Sequence, residues 1–229
     1  MRKLSLSDGS ESFDVALFES DAPAGAVLFA VGRGGDPERH FPLLTSLHES
    51  GCTVVAPYFE RLVTPIPAAA DLLMRARRLR LALDRIARPG LPTTGVGHSI
   101  GATMVLALAG GQAWTGDRTR LDIAFEPRLT RIVLMAPATD FFRAPGALAG
   151  VSVPIQVWAG SKDVITPPAQ AKLLREALAV RAAVDLHVVA EADHFSFMNV
   201  RPPQITESLP HREAFLAHLA ATVIGFVAC

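Results

Sequence analysis

The stretch Thr93-Thr94-Gly95-Val96-Gly97-His98-Ser99-Ile100-Gly101, followed by the apolar run Ala102–Ala109, decides how the rest of the chain is read. A short β-like run enters G-x-S-x-G and leaves it as a helical segment. Glycines on both sides of Ser99 suit a turn that leaves no room for side chains and strains the backbone. Such a turn lifts Ser99 clear of a sheet and aims the next backbone N–H, from Ile100, into the same space. On its own the G-x-S-x-G spacing is a weak signal; between a strand and a helix it is specific.

Working outward, short β-branched runs recur at Ala26–Val31, Thr53–Ala56, Thr94–Val96, Ile132–Met135, Ile155–Trp158 and Leu186–Val189. They are mostly apolar throughout rather than alternating, as strands buried on both faces of a parallel sheet are. Helix-period segments separate them: Pro37–Glu49, with Asp36 as N-cap and proline at the first position, then Ala69–Arg88, Ile100–Ala109, Pro168–Val180 and Glu207–Phe226. In the second of these, Leu72, Ala76, Leu79, Leu83 and Ile86 form one apolar stripe, and Pro89-Gly90 stops it. Arg75, Arg77, Arg78, Arg80, Arg85 and Arg88 are expected on its solvated outer face, their stems covering apolar surface. Leu4–Leu6 and Phe13–Phe18 add two short antiparallel edge strands. Six alternations of strand and helix predict an α/β fold, a doubly wound, mostly parallel sheet with helices on both faces, in one domain over residues 1–229.

Composition narrows the function. The 229 residues carry 22 Lys+Arg against 22 Asp+Glu, half are hydrophobic and 19% are charged. A neutral, core-rich chain of this kind excludes disorder and disfavours a charge-driven nucleic-acid partner. No run is long enough for a membrane helix, no signal peptide is readable, and the two cysteines, Cys52 and Cys229, make no disulfide framework. A cytoplasmic protein is expected. No Cys/His spacing suggests zinc, so no metal or organic cofactor is implied. The sequence specifies no oligomeric state.

In doubly wound sheets the chemistry sits beyond the carboxyl ends of the strands. A serine hydroxyl needs a base to act as a nucleophile. Of seven histidines, His194 alone follows a strand end, in Ala192-Asp193-His194-Phe195; the other six fit surface or satisfied core positions, His98 being turned away from the Ser99 hydroxyl. A carboxylate must orient the imidazole. Asp163, in Gly160–Pro167 past Ile155–Trp158, is favoured over Asp140, with Asp193 shaping its own loop. A second oxyanion donor is expected after Ala26–Val31, in Gly32-Arg33-Gly34-Gly35, with the Arg33 N–H as the best candidate beside that of Ile100. This makes the backbone of Gly32–Gly34 sensitive to substitution. A dinucleotide-binding G-x-G-x-x-G fails in the same loop because Pro37 takes the third glycine position.

The glycine loop, the elbow, the acid loop and the Asp193-His194-Phe195 loop occur in an order that resembles the α/β-hydrolase superfamily across nearly the whole chain. The resemblance implies a Ser99–His194–Asp163 triad with an oxyanion hole from Arg33 and Ile100. In size the chain is similar to lid-poor dienelactone hydrolases and carboxylesterases. Two features depart from that pattern: the elbow holds Ser99 where dienelactone hydrolases have cysteine, and Val31 stands where many relatives have histidine. The expected activity is hydrolysis of a small-molecule carboxylic ester, thioester or lactone through an acyl-enzyme, without cofactor. Acyltransferases, cofactor-free haloperoxidases, lyases and ligand-binding members of the same fold remain alternatives. Between Asp140 and Val151 there is too little chain for a multi-helix cap. Phe141, Phe142, Tyr58 and Phe195, with Phe197 and Met198, are the candidate lining of an apolar acyl pocket, and Arg33 and Arg143 candidate carboxylate contacts.

Overall fold

Four strands are buried along their whole length: β3 (Gly25–Ala30), β4 (Cys52–Pro57), β5 (Thr93–His98) and β7 (Ile155–Gly160). The computed structural model describes residues 1–9, 11–64, 66–206 and 209–227. With β1 (Arg2–Asp8), β2 (Glu11–Phe18), β6 (Leu129–Met135) and β8 (Val184–Val189) these strands form one eight-stranded sheet, ordered β1-β2-β4-β3-β5-β6-β7-β8. β1 and β2 are antiparallel, β2 joins β4 antiparallel, and every later pairing is parallel. Only β1 of the amino-terminal pair is an edge; β2 is paired on both sides.

Among the described residues four α-helices connect strands, α1 (Phe41–Glu49), α2 (Ala69–Ile86), α3 (Ile100–Leu108) and α4 (Pro168–Leu178), and α5 (Arg212–Val227) follows β8. From β3 the chain steps to β4 on one side, then crosses back past β3 to β5 and onward. Right-handed crossovers in opposite directions put α1 on one face and α2, α3 and α4 on the other. In keeping with this, α1 packs on α5 and α2 on α3. The reversal opens a crevice between the ends of β3 and β5, where two loops leave toward opposite faces. Register places the chemistry there, since Ala30 pairs with Gly97, His98 with Met135, Met135 with Trp158, and Gly160 with Val189.

Proline accounts for most shifts of the helix ends. The expected helix from Pro37 is a 3₁₀ turn, Pro37–His40, capped by the Asp36 side chain, and α1 begins at Phe41. Pro42 has no N–H to give to Glu38, so an α-helical bond across the junction cannot form. α2 stops at Ile86, with Ala87 already extended ahead of Pro89. α5 starts at Arg212, after Pro210 and a left-handed His211 (φ 53°), and the expected start at Glu207 lies outside the described residues. Cys52 is disulfide-bonded, and Cys229 also lies outside the described residues. No helix among the described residues is long and apolar enough to cross a membrane.

The arginine face of α2 is only partly solvated. Arg77 and Arg78 hold Asp8, Arg78 also reaches Glu11, and Arg85 approaches Glu19, so the helix clamps the β1–β2 hairpin. Arg78 is buried, and Arg75 is 1% exposed.

The elbow and β3 touch so closely that a Cβ on Gly101 would overlap the Ala30 carbonyl oxygen. Gly101→Ala is therefore expected to destabilise the protein by about 3 kcal/mol in urea unfolding. Gly225→Ala, in α5 with open space around it, should instead stabilise by about 0.5–1 kcal/mol. Equal midpoints for the two variants would contradict this packing.

Candidate active site

Ser99 sits between β5 and α3 at φ 56°, ψ −123°, a conformation costing on the order of 1–3 kcal/mol that the surroundings must enforce. Its N–H donates to Met135 O at 2.9 Å, and its carbonyl accepts from Ala102 N–H at 3.0 Å. The flanking glycines are needed for space, not for backbone angle. A Cβ on Gly97 would lie 2.6 Å from Ala102 N, and neither Gly97 nor Gly101 has positive φ. The strain falls on the serine itself.

The loop after β8 carries His194, and its Nε2 lies 3.0 Å from Ser99 Oγ. Asp193 shapes that loop by accepting the Phe195 N–H at 2.8 Å and pairing with Arg201 at 2.6 Å. The loop after β7 carries Asp163, whose Oδ2 is 2.9 Å from His194 Nδ1. Its Oδ1 accepts the N–H groups of Ile165 and Thr166 at 2.8 and 2.7 Å. Burial raises the Asp163 carboxyl, but the His194 bond and charge and the Thr166 bonds outweigh it, leaving the group below its ordinary value. Asp140, by contrast, is exposed and bonded to Arg143 and Gln170. The structure thus brings together Ser99, His194 and Asp163 and leaves Asp140 outside.

Two histidines lie beneath this row. His98 is buried, its ring tilted against that of His194 with centroids 5.0 Å apart. Its Nε2–H donates to the His194 carbonyl at 2.9 Å, which ties the elbow to the histidine loop. Burial, then the charges of His194 and His40, hold its pKa well below 6.5, so the ring is neutral. His40 is neither a surface nor a satisfied core residue: it packs between Phe29 and His98 with no bond to either ring nitrogen, and burial lowers it to about 3.

The loop after β3 meets the elbow. A Cβ on Gly32 would stand 3.2 Å from His98 Nδ1 and 3.3 Å from Ser99 Cβ. The Gly32 and Glu60 carbonyls both accept from Arg75, at 3.1 and 2.8 Å. Arg75 also lies 4.6 Å from the centre of the Phe59 ring, and burial brings its pKa to about 10, against the pull of Asp71. It remains cationic at neutral pH. Solvent exposure, expected from its charge, does not hold.

A cavity of about 910 Å³ opens over Ser99 and His194. Phe141, Phe195 and Met198 line it, as expected, together with Gly32, Arg33 and Ile100. Tyr58 and Phe142 do not. Tyr58 leaves the end of β4 for Glu38 and Lys3, and Phe142 is core packed against Gly111. Phe197 is likewise core, against Phe215. Arg33 reaches Thr64 O, and Arg143, which does not line the cavity, is paired with Asp140 at its wall. The segment between β6 and β7 forms one 3₁₀ turn, Asp140–Phe142, and builds no cap. Other walls were not anticipated: Leu62, Ile66 and Pro67 from the β4–α2 loop, Trp114–Gly116 after α3, and Pro202–Gln204. Thr166 was also missed, with its hydroxyl 2.7 Å from Asp163 Oδ2 and 3.0 Å from His194 Nδ1. A hydroxyl three residues beyond an aspartate in a loop is the available signal. Among the described residues no cluster of three or more His, Cys, Asp or Glu is arranged to hold a metal ion.

No protein-family model matches the chain, and no curated protein matches it in sequence. Solved structures do. A dienelactone hydrolase from Anabaena variabilis aligns over 98% of this chain and 94% of its own, at TM-score 0.69 and 19% identity. The butyrate-bound esterase Est2 of Thermogutta terrifontis aligns over 95% and 90%, at 0.67 and 13%. An esterase of Pyrococcus furiosus aligns over 99% and 91%, at 0.68 and 12%. The chain has the α/β-hydrolase fold.

Two expectations follow. Gly35 has φ 77°, and a Cβ there would overlap Phe59 O, whereas Gly34 is surrounded by open space without positive φ. Sensitivity in the glycine loop therefore lies at Gly32 and Gly35: Gly35→Ala should cost about 2 kcal/mol or more in thermal or urea unfolding and Gly34→Ala less than about 0.5. Second, Asp163 is held below its unfolded value near 4. Its ionisation stabilises the fold fully above that value, and the contribution fades as pH falls through the folded-state value. Urea melts stepped from about pH 6 to 3 should show a shallower acid-side decline in Asp163→Asn than in wild type; parallel curves would contradict the assignment.

Proposed function

We propose that this protein is a serine hydrolase acting on a small-molecule carboxylic ester, thioester or lactone through an acyl-enzyme on Ser99. The observation that carries the reading is the continuous row Ser99 Oγ, His194 Nε2, His194 Nδ1 and Asp163 Oδ2, joined at 3.0 and 2.9 Å, at a strained turn facing a cavity. In this reading His194 takes the Ser99 proton as Oγ attacks the carbonyl carbon, and Asp163 stabilises the imidazolium that forms. The imidazolium protonates the departing alkoxide or thiolate. The neutral imidazole left behind then accepts a proton from water as that water attacks the acyl-enzyme, and gives it to Ser99 Oγ as the acyl–oxygen bond breaks, restoring the serine and releasing the acid.

The developing oxyanion is assigned to the N–H groups of Ile100 and Arg33. Ile100 opens α3, where a first-turn N–H has no partner within the helix. Arg33 follows Gly32, which touches the elbow. Phe141, Phe195 and Met198 support an apolar group in the cavity. The Thermogutta esterase, which shares this fold, is phosphorylated by paraoxon, and paraoxon is accordingly the probe for Ser99 here.

The test is paraoxon labelling, located by peptide mass, with turnover of p-nitrophenyl acetate. Wild type should carry one diethylphosphoryl group at Ser99. Ser99→Ala should lose labelling and at least about 10⁴-fold in activity. Asp163→Asn should fall by about 10⁴-fold, while Asp140→Asn stays near wild type. Equal turnover by wild type and Ser99→Ala, or an adduct elsewhere, would overturn the reading.

A further inference from the structure

The peptide unit joining Gly32 to Arg33 has two working ends. Its carbonyl accepts from Gly35 N–H at 3.2 Å and from Arg75 Nη1 at 3.1 Å. Its N–H points opposite to that carbonyl, as in any trans peptide, and is one of the two donors assigned above to the oxyanion. Whatever fixes the carbonyl therefore also fixes the direction of the donor.

Arg75 is placed to do this. It enters from α2, 1% exposed, and both of its hydrogen bonds go to backbone carbonyls rather than to a carboxylate. One is Gly32 O in the β3–α1 loop, and the other is Glu60 O in the β4–α2 loop. The two loops are also stitched directly, Phe59 N–H to Gly35 O at 2.8 Å and Leu62 N–H to Arg33 O at 3.0 Å. Both carbonyls flanking the Arg33 α-carbon are thus anchored on one side, leaving that backbone little freedom to rotate. A guanidinium fork spans two acceptors at fixed separation, which a single ammonium cannot do. A cation at the carbonyl end also draws electron density from the amide and makes its N–H a stronger donor, more so at low local dielectric. If Arg75 only filled space, an apolar side chain of similar volume would serve without the cost of burying a charge.

We infer that Arg75 is a positioning residue for the oxyanion hole: its guanidinium holds the Gly32 carbonyl and thereby aims and polarises the Arg33 N–H at the carbonyl oxygen of the substrate. The inference rests on the hydrolase reading and extends it to a side chain that does not itself touch substrate. It locates the effect in the transition state, where negative charge on the substrate oxygen is greatest, so kcat should respond and KM should not.

The experiment compares wild type, Arg75→Met and Arg75→Lys. Paraoxon is allowed to react to completion, and the p-nitrophenol released counts the competent sites, which separates misfolded protein from slow protein. Rates per competent site are then measured with p-nitrophenyl acetate, together with inhibition by a trifluoromethyl ketone that forms a tetrahedral adduct at the serine. Arg75→Met should lower kcat per site by about 10- to 100-fold, somewhat less than outright loss of a donor, with KM within about twofold. The inhibition constant should rise by a similar factor, and Arg75→Lys should fall between. Should Arg75→Met not fold, Arg75→Lys alone decides, through a matching loss in kcat and in ketone affinity. Fewer competent sites with unchanged rate per site, or equal losses in kcat and acetate affinity, would overturn the positioning role while leaving the hydrolase reading intact. A wild-type protein that neither labels nor turns over would overturn the hydrolase reading itself, and this inference with it.

Discussion

The close approach of β3 and β5 at their carboxyl ends is the constraint on which the site depends. Ala30 is paired with Gly97, and the Ala30 carbonyl oxygen occupies the space that a side chain on Gly101 would need. Because the chain turns to opposite faces after these two strands, a crevice opens directly above the contact. The serine turn is pressed into one wall and the glycine loop into the other. Parallel pairing then carries the register across β6, β7 and β8, so loops distant in sequence end level with Ser99. Burial of β5 and β7 along their whole length holds the register, since a slip would break the packing of their side chains against the helices.

Much of this was legible in the sequence, for identifiable reasons. Strands buried on both faces read as unbroken β-branched runs, and glycine and proline mark where they end. The site residues at strand ends could therefore be placed from chain order alone, and Ser99, His194 and Asp163 do meet. Arg75 shows what was not legible. It stands three residues after Leu72 and four before Leu79, so its spacing puts it on the buried stripe. Its charge argued for the outside, and only the two carbonyls waiting beneath it reverse that argument. Tyr58 and Phe142 were misplaced for a related reason. The direction of an aromatic side chain in the loop beyond a strand, directly after β4 for Tyr58 and in the 3₁₀ turn after β6 for Phe142, depends on the path of that loop, which local pattern does not specify.

Histidine was the other ambiguous residue type. His40 and His98 sit in sequence contexts unlike that of His194, yet all three rings lie in one row, with centroids 5.3 and 5.0 Å apart. Proximity does not make them equivalent. Burial keeps the inner two uncharged, while the outer one faces a serine on one nitrogen and a carboxylate on the other. Environment, more than residue identity, sets the inner two histidines apart from the outer one.

The neutral pair beneath His194 has a consequence for proton traffic. His98 gives its only ring hydrogen to the backbone, and His40 holds its ring apart from any partner, so neither trades protons with the base at neutral pH. On the proposed reading, His194 exchanges protons only at Nε2, the nitrogen beside Ser99 Oγ. In the proposed cycle the departing alcohol and the incoming water then share one passage. The second half-reaction must wait until the first product has cleared it.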